Sequence, residues 1–262
     1  MKEVLFQIIE ENPLLTLKEI NKKLRIQLSM KPYVSDETIA RTLDKMLITL
    51  KLCEDIPVQR NTVENIEKRY MHATWFLDKT STDDIIYIDE CGYNVWTRRT
   101  FGRALRGVPA RRVVSKQKGQ NLMCTFAINQ VYGLMHSRIK VERVTKETFG
   151  EFIKDLITAT KDIFPHDHTI YLVLDNARPH IDAQLKIPME YINQYKIKYL
   201  PPYSPFLNPV EQYHSTFKSR VKSSLSEEQV NLDNCPIGLT QQQHRLDILL
   251  RVARDSILNV PQ

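Results

Sequence analysis

Hydrophobic residues recur along the chain with two periods, one typical of strands and one typical of helices. Residues 85–88 and 170–174 are short apolar runs that predict buried strands. Two segments rich in β-forming residues, 121–128 and 131–139, flank a tight connection and predict a hairpin. Apolar residues at helical spacing after Thr145 predict a helix that this residue caps.

The pattern continues beyond the second apolar run. Residues 181–194 are expected to be helical or irregular, 197–200 predict a short strand, and a last helix begins at Asn208. The predicted order is strand, two hairpin strands, helix, strand, helical or irregular segment, strand and helix. Strands that alternate with helices in this way are typical of an α/β domain.

The first sixty residues have a helical pattern of their own. The first helix ends at Asn12-Pro13, a capping box at Thr16 opens the second, and Ser35 caps the third. Three such helices are typical of a helix-turn-helix, although a three-helix bundle has other uses. The positions expected in its core are Val4, Leu5, Ile8, Ile9, Leu17, Ile20, Leu24, Ile39, Leu43, Met46 and Leu47. The third helix would offer a major groove four side chains: Thr38, Arg41, Thr42 and Lys45.

Three acids lie at the ends of predicted elements. Asp89 and Asp175 each follow a buried strand, and Glu211 lies in the first turn of the helix opened by Asn208. Converging carboxylates are the usual way to hold Mg²⁺ against a phosphate. Each acid alone also has an ordinary explanation: a solvated strand end, an Asp-Asn turn or a capping box. Glu90 points to the opposite face of its strand from Asp89 and is not included in the group.

Three motifs surround these acids in a fixed order. They are Ile88-Asp89-Glu90, Leu174-Asp175-Asn176-Ala177-Arg178-Pro179-His180, and Pro201-Pro202-Tyr203-Ser204-Pro205 followed by Asn208-Pro209-Val210-Glu211. In combination they resemble the mariner-like superfamily of cut-and-paste DNA transposases. The resemblance covers roughly residues 1–225, and the 35 residues between Asp175 and Glu211 are within a residue or so of the family's usual spacing.

The resemblance implies an α/β fold: a ribonuclease-H-like mixed sheet flanked by helices, with a small N-terminal all-α helix-turn-helix domain. Its first and fourth strands would lie side by side and bring Asp89 and Asp175 together. The implied activity is metal-dependent DNA cleavage at transposon ends and strand transfer into target DNA. Asp89, Asp175 and Glu211 would be the catalytic residues and the ligands of two Mg²⁺ (or Mn²⁺) ions, with Asp89 bridging them.

Polar residues beside the acids are expected to support them. Asn176, His180 and Asn208 are candidates for orienting the metal ligands. Lys218 lies two helical turns after Glu211 on the same face and could contact a phosphate. His214 is expected to have at most a supporting role rather than to bind metal itself.

Charge is distributed unevenly along the chain. The formal net charge is +6 and the pI is near 9, which suits a polyanionic partner. Between Cys91 and Val141 there is no acidic residue, and this stretch carries +10, so the rest of the chain nets −4. A phosphate-binding ribbon is favoured over a merely solvated face. Trp96 and Phe101 could stack on bases, but packing onto the domain is the safer expectation. The expected phosphate contacts are Arg98, Arg99, Arg103, Arg106, Arg111, Arg112, Lys116 and Lys118.

The predicted organisation has four parts. They are a helix-turn-helix domain (1–50), a linker with a connecting helix (51–80), the catalytic domain (81–225) and a helical tail (226–262). The expected partners are double-stranded DNA and a second copy of the chain in a homodimer, with no membrane and no nucleotide cofactor. The four cysteines have no metal-ligand spacing and indicate free thiols in a reducing compartment. We expect location in the nucleus of a eukaryote, or in the cytoplasm or nucleoid of a bacterium, and no secretion.

Two alternatives remain open. Members of the family usually carry two helix-turn-helix units in tandem, and the single unit seen here resembles the second. This departure favours a domesticated or truncated relative that binds DNA without moving it. A ribonuclease-H-like nuclease that acts on another nucleic acid is the other alternative.

Overall fold

The computed structural model describes residues 1–28, 34–53, 55–79, 81–97, 99, 101–111, 119–141, 143–228, 231–232 and 234–258. The chain divides into two compact units, Met1–Pro57 and Val58–Gln262. Each unit has a hydrophobic core of its own.

Three helices form the first unit: α1 (Lys2–Glu11), α2 (Leu17–Gln27) and α3 (Asp36–Lys45). The predicted caps are present, because the Thr16 hydroxyl accepts from the Glu19 amide and the Ser35 hydroxyl accepts from the Thr38 amide. The core consists of Leu5, Ile8, Ile20, Leu24, Ile39 and Leu43. The three predicted helices are therefore confirmed.

The expected core of this unit is wrong at its ends. Leu17 is exposed because it is the first residue of α2, ahead of the buried face. Met46 follows the last residue of α3 and is only half-buried. Leu47 has a left-handed φ of 59° and is 89% exposed, since the chain turns away from the helix there.

The second unit is built on a five-stranded sheet in the order β3-β2-β1-β4-β5. The strands are β1 (Ile85–Tyr93), β2 (Leu122–Asn129), β3 (Gly133–Lys140), β4 (Ile170–Leu174) and β5 (Tyr195–Tyr199). β1, β2 and β3 are antiparallel, whereas β4 is parallel to both β1 and β5. The first and fourth strands are therefore neighbours, as predicted.

Helices cover both faces of this sheet. On one face, α5 (Lys146–Thr160) buries Phe149, Phe152 and Leu156 against the strands. On the other face lie α6 (Val210–Glu227) and α7 (Gln241–Leu258), whose apolar residues share a core with β1 and β2. The Tyr93 hydroxyl donates a 2.6 Å hydrogen bond to the Leu249 carbonyl, which ties α7 to the sheet. A further helix, α4 (Val63–Lys79), precedes β1.

Several predicted boundaries differ from the observed ones by one or more residues, among them those of both hairpin strands. β1 continues through Tyr93 instead of ending at Asp89, because it keeps pairing with β2 after its last pair with β4. β5 begins at Tyr195, two residues before the predicted start. The last helix of the catalytic motif begins at Val210, with Pro209 rather than Asn208 in the N-cap position.

The ribbon is the segment that joins β1 to β2, and its described residues from 101 to 111 lie on the surface. Every described residue between 101 and 111 is exposed, and this stretch forms only irregular structure and a turn. Phe101 is 95% exposed and Trp96 is 47% exposed. The expectation that both rings pack onto the domain is therefore wrong for Phe101, whereas Trp96 is about half buried.

Candidate active site

The register of two parallel strands sets Asp89 level with Asp175. β1 and β4 pair with Tyr87 opposite Val173, and the same offset places Asp89 opposite the residue that follows β4. Asp89 lies just past the last β4 partner, where only β2 still pairs with its strand. Its carboxylate therefore faces the space that opens where β4 ends.

Glu211 comes from the second residue of α6. The helix begins here because Pro209 has a helical φ of −60° and needs no amide partner, while the Asn208 side chain accepts a 3.2 Å bond from the Val210 amide. The capping-box explanation required Glu211 at the third helical position, and it is wrong. The Glu211 carboxylate lines the cleft instead.

The three acids line one open cleft of about 420 Å³. The segment from Leu200 to Pro205 forms a second wall, and it includes Tyr203 at a left-handed φ of 55°. Asn176 and Asn208 complete the lining. The structure thus brings together the acids that the motifs singled out, and their catalytic role stays a prediction.

The cleft concentrates negative charge around Asp89. The pKa of Asp89 is raised to about 7, mainly by burial. The charges of Glu90, Asp175 and Glu211 contribute to this rise, and the hydrogen bond from the Glu90 amide opposes it. Crowded carboxylates of this kind are stabilised by a cation between them. The electrostatics therefore favour a positively charged occupant.

Behind the cleft, a buried imidazole joins two acids. His180 is fully buried and lies against Phe149; its Nδ1 is 2.6 Å from Asp175 Oδ1 and its Nε2 is 3.1 Å from Glu90 Oε1. Burial alone would lower the pKa of His180, but the hydrogen bonds with Asp175 and Glu90 raise it to about 10. The same contact with His180 lowers the pKa of Asp175 against its burial.

This arrangement agrees with the supporting position expected for His180. It also explains Glu90, which lies outside the cleft lining and instead holds His180 from the far side. Sequence analysis assigned no role to Glu90. The available signal was its alternation with Asp89, which turns it toward the face where the His180 segment packs.

The other candidate supporting residues make different contacts. Asn208 Nδ2 is 3.5 Å from Asp89 Oδ2, a weak contact at the limit of a hydrogen bond. The Asn176 side chain donates to the Leu200 carbonyl at 2.6 Å, so it fixes the cleft wall rather than an acid. Lys218 is half-buried, and its charge acts on Cys91 and His214. Its contact with phosphate stays a prediction.

His214 lies closer to the acids than expected. Its Nδ1 is 3.7 Å from Glu211 Oε2, and ligand atoms of Asp89, Glu211 and His214 lie within 4.8 Å of one another. Burial and the charge of Lys218 lower the pKa of His214 to about 4, so the ring is neutral. A histidine three residues after an acid on a helix was the sequence signal for this proximity.

The candidate DNA contacts are only partly described. On α3, Thr38, Arg41 and Lys45 are exposed, whereas Thr42 is half-buried and its hydroxyl bonds the Thr38 carbonyl. On the ribbon, Arg103, Arg106 and Arg111 are exposed, and Arg99 donates to the Ser223 hydroxyl. Four predicted contacts lie outside the described residues: Arg98, Arg112, Lys116 and Lys118.

Two basic residues of the acid-free stretch already contact acidic side chains of the protein. Arg138 on β3 pairs with Glu151 and Asp155 of α5, and Lys140 lies 3.5 Å from Glu151. Their charges are therefore offset locally. Within the acid-free stretch, the exposed positive charge of the described residues is therefore mainly that of the ribbon arginines.

A model of the DDE superfamily endonuclease family matches residues 84–233, which is more than half of the chain. The chain belongs to this family. The matched range contains Asp89, Asp175 and Glu211 together with all five strands. The predicted enzyme class, a DDE-type endonuclease, is confirmed. A comparison with curated proteins found no match.

Solved structures of the Mos1 transposase have a similar fold. The paired-end complex with the left transposon end has a TM-score of 0.64 at 17% identity, covering 98% of this chain and 78% of that one. The strand transfer complex has a TM-score of 0.61 at 18% identity, covering 98% of this chain and 78% of that one. The mariner Mos1 paired end complex with Mg has a TM-score of 0.61 at 17% identity, covering 98% of this chain and 77% of that one. The predicted ribonuclease-H-like fold, a mixed sheet flanked by helices, is therefore confirmed.

The donor set fits a divalent metal ion. Two carboxylates and one imidazole present ligand atoms to a common point, and a third carboxylate, that of Asp175, lines the same cleft. Oxygen-rich sites suit Mg²⁺ and Mn²⁺, and an open cleft leaves room for substrate oxygens.

Within the described residues, no helix is both long and apolar enough to cross a membrane.

Proposed function

We propose that this protein is a DNA transposase that cleaves DNA at transposon ends and joins the released end to target DNA. The observation that carries the proposal is the convergence of Asp89, Asp175 and Glu211 on one open cleft of a DDE endonuclease domain. The similar fold of Mos1, which has been solved with a transposon end and as a strand transfer complex, supports it. The domesticated and nuclease alternatives remain outcomes of the test below.

The reaction is in-line displacement at a phosphodiester. An oxygen of water, and later of a DNA 3′-hydroxyl, gives up its proton to solvent and bonds to phosphorus. The bond from phosphorus to the 3′-oxygen of the attacked strand breaks at the same time, and the departing oxygen takes up a proton from solvent. Two bound divalent ions, Mg²⁺ or Mn²⁺, would activate the attacking oxygen and stabilise the leaving one. Asp89, Asp175 and Glu211, which line the cleft, would hold these ions. His180 holds the Asp175 carboxylate in place.

DNA would be the substrate and a second copy of the chain the partner. The exposed ribbon arginines and the exposed face of α3 support DNA binding. Exposed apolar side chains along α4, among them Val63, Tyr70, Met71 and Leu77, support a homodimer, because large apolar patches usually mark an interface. The protein would act where DNA is held, in the nucleus of a eukaryote or the nucleoid of a bacterium.

The test measures two reactions on the same protein. Nicking of supercoiled plasmid and joining of a labelled 3′-hydroxyl oligonucleotide to plasmid are followed with Mg²⁺, with Mn²⁺ and with a chelator. We expect both reactions to require metal. Asp89→Ala, Asp175→Ala and Glu211→Ala should lose both by several orders of magnitude while DNA affinity is nearly unchanged, because the acids act on the transition state.

The matched control is Glu227→Ala, which removes an exposed acid from the other end of α6. It should cleave and join normally. Metal-dependent nicking without joining would favour a nuclease, and DNA binding without either reaction would favour a domesticated relative. Normal cleavage by Glu211→Ala would overturn the assignment of the three acids.

A further inference from the structure

The three acids do not account for His214. This residue follows Glu211 by one turn on the same face of α6, since residues three apart are neighbours on a helix. Its side chain is 5% exposed, and its Nδ1 is 3.7 Å from Glu211 Oε2, which is too long for a hydrogen bond. The ring thus lies beside the Glu211 carboxylate without bonding it, and a hydrogen bond with the Asp89 backbone holds it there.

One nitrogen of the ring, Nε2, is unsatisfied. Nε2 is buried and makes no hydrogen bond within the described part of the chain. One neighbour of the ring is Phe126, at 5.8 Å between centroids, and it offers no acceptor. Leaving a buried polar atom unpaired is unfavourable, and such atoms in folded proteins call for an explanation.

We propose that His214 is a direct ligand of the metal ion held by Asp89 and Glu211. The inference rests on the proposed function, because it takes the cleft to hold divalent ions. It departs from the expectation that His214 only supports the site. The ion near Glu211 would then have two carboxylates and one imidazole, whereas an ion between Asp89 and Asp175 would have oxygen ligands from the protein.

The spacing of the three side chains fits this role. Ligand atoms that bind one ion at about 2.1–2.2 Å lie at most ~4.4 Å apart. The observed atoms lie within 4.8 Å of one another, so a shift of a few tenths of an ångström is enough. A Glu and a His at positions i and i+3 of one helix form a recurrent metal-binding pair in helical metalloproteins.

A nitrogen ligand changes which metal the site prefers. Imidazole suits transition metals, whereas Mg²⁺ prefers carboxylate, carbonyl and water oxygens. The site near Glu211 should therefore favour Mn²⁺ over Mg²⁺ more strongly than three carboxylates would. This preference concerns only the ion near Glu211, and it can be measured by metal binding without measuring catalysis.

The test observes the ligand itself. Electron spin echo envelope modulation of Mn²⁺ bound to the full-length protein reports nitrogen coordinated to the ion. We expect nitrogen coupling in the wild type and its loss in His214→Gln. Titration calorimetry should show Mn²⁺ affinity falling at least about tenfold in this variant, as for loss of groups around a metal. Mg²⁺ affinity should fall less.

Two controls keep the result interpretable. Protein containing ¹⁵N-imidazole histidine should show ¹⁵N in place of ¹⁴N coupling, which tests coordination without any substitution. His180→Gln removes the imidazole that lies behind the cleft and should keep the coupling, because both His180 nitrogens already contact acids. Coupling that persists in His214→Gln and disappears in His180→Gln would overturn the assignment.

Failure of this inference is distinguishable from failure of the proposed function. Mn²⁺ that binds in an Asp89-dependent way without nitrogen coupling would overturn the role of His214 and leave the three acids intact. A wild type that binds no Mn²⁺, or binds it equally well after Asp89→Ala, would overturn both.

Discussion

His180 Nδ1 lies 2.6 Å from Asp175 Oδ1, and the ring between Asp175 and Glu90 is fully buried. One acid of the cleft is therefore held from behind by a charged imidazole, which is itself held by a second acid. An outer partner of this kind fixes the orientation of a metal ligand. His180 is accordingly a positioning residue.

We expect His180→Gln to raise the Mg²⁺ concentration needed for half-maximal cleavage by about 10–100-fold. The reason is that the bond to Asp175 is lost, while a bond to Glu90 remains possible. His180→Asn keeps a donor at the Nδ1 position and should recover much of this loss. The measurement is plasmid nicking as a function of Mg²⁺ concentration, with the rate at saturating metal compared separately. Equal metal dependence in the wild type and both variants would contradict a positioning role.

Asp89→Asn should stabilise the metal-free protein at pH 8. In the folded protein the pKa of Asp89 is raised from 3.8 to about 7. The protonated carboxyl therefore contributes to the free energy of unfolding fully below pH 3.8, and this contribution is lost as the pH rises through 7. Asn removes the buried charge and still accepts from the Glu90 amide. The gain at pH 8 is at most a few kcal/mol, since one pKa unit is worth ~1.4 kcal/mol.

Urea unfolding of both proteins in chelator checks this at pH 4 and pH 8. The difference in unfolding free energy should be close to zero at pH 4 and should favour Asp89→Asn at pH 8. Saturating Mg²⁺ should reverse the order, because only the wild type gains from binding the ion. A wild type that is more stable at pH 8 without metal would show that burial does not penalise this carboxylate.

The ribbon should contribute non-specific affinity. Replacing Arg103, Arg106 and Arg111 together by Gln should weaken binding about equally for all duplexes and flatten the slope of log K against log salt by roughly 0.9 per lost contact. The matched control is Arg138→Gln with Lys140→Gln, whose charges already pair with acids of α5. Binding titrations at several salt concentrations provide both slopes, and equal slopes in the two variants would rule out the ribbon's role.

The third helix should read bases rather than phosphates. Arg41→Ala should reduce the preference for a transposon-end duplex over a random one more than it reduces total affinity. Thr42→Ala should do so less, since its hydroxyl is occupied by the Thr38 carbonyl. Lys22→Ala on α2 is the comparison, because a phosphate contact there would lower affinity for both duplexes alike. An unchanged preference in Arg41→Ala would mean that this helix does not read sequence.

Local signals determined much of this protein before its tertiary structure was considered. Apolar runs, caps and turn residues predicted the strands and most helices, because these elements depend on neighbours within a few positions. The three acids were also identified from their motifs, and the parallel neighbours β1 and β4 then placed Asp89 level with Asp175.

Other features depended on contacts between distant segments. β1 continues past Asp89 only because β2 continues to pair with it. The role of Glu90 depends on the position of His180, which contacts it from a distant segment of the chain. Phe101 is apolar, so composition favoured burial, yet no local rule says whether a surface for it exists. His214 is separated from Asp89 by 124 positions of intervening chain, and only the packing of α6 against the sheet brings them together. Sequence alone determined which chemical groups the cleft contains, whereas tertiary packing decided which of them face the same ion, because that depends on orientation across non-local contacts.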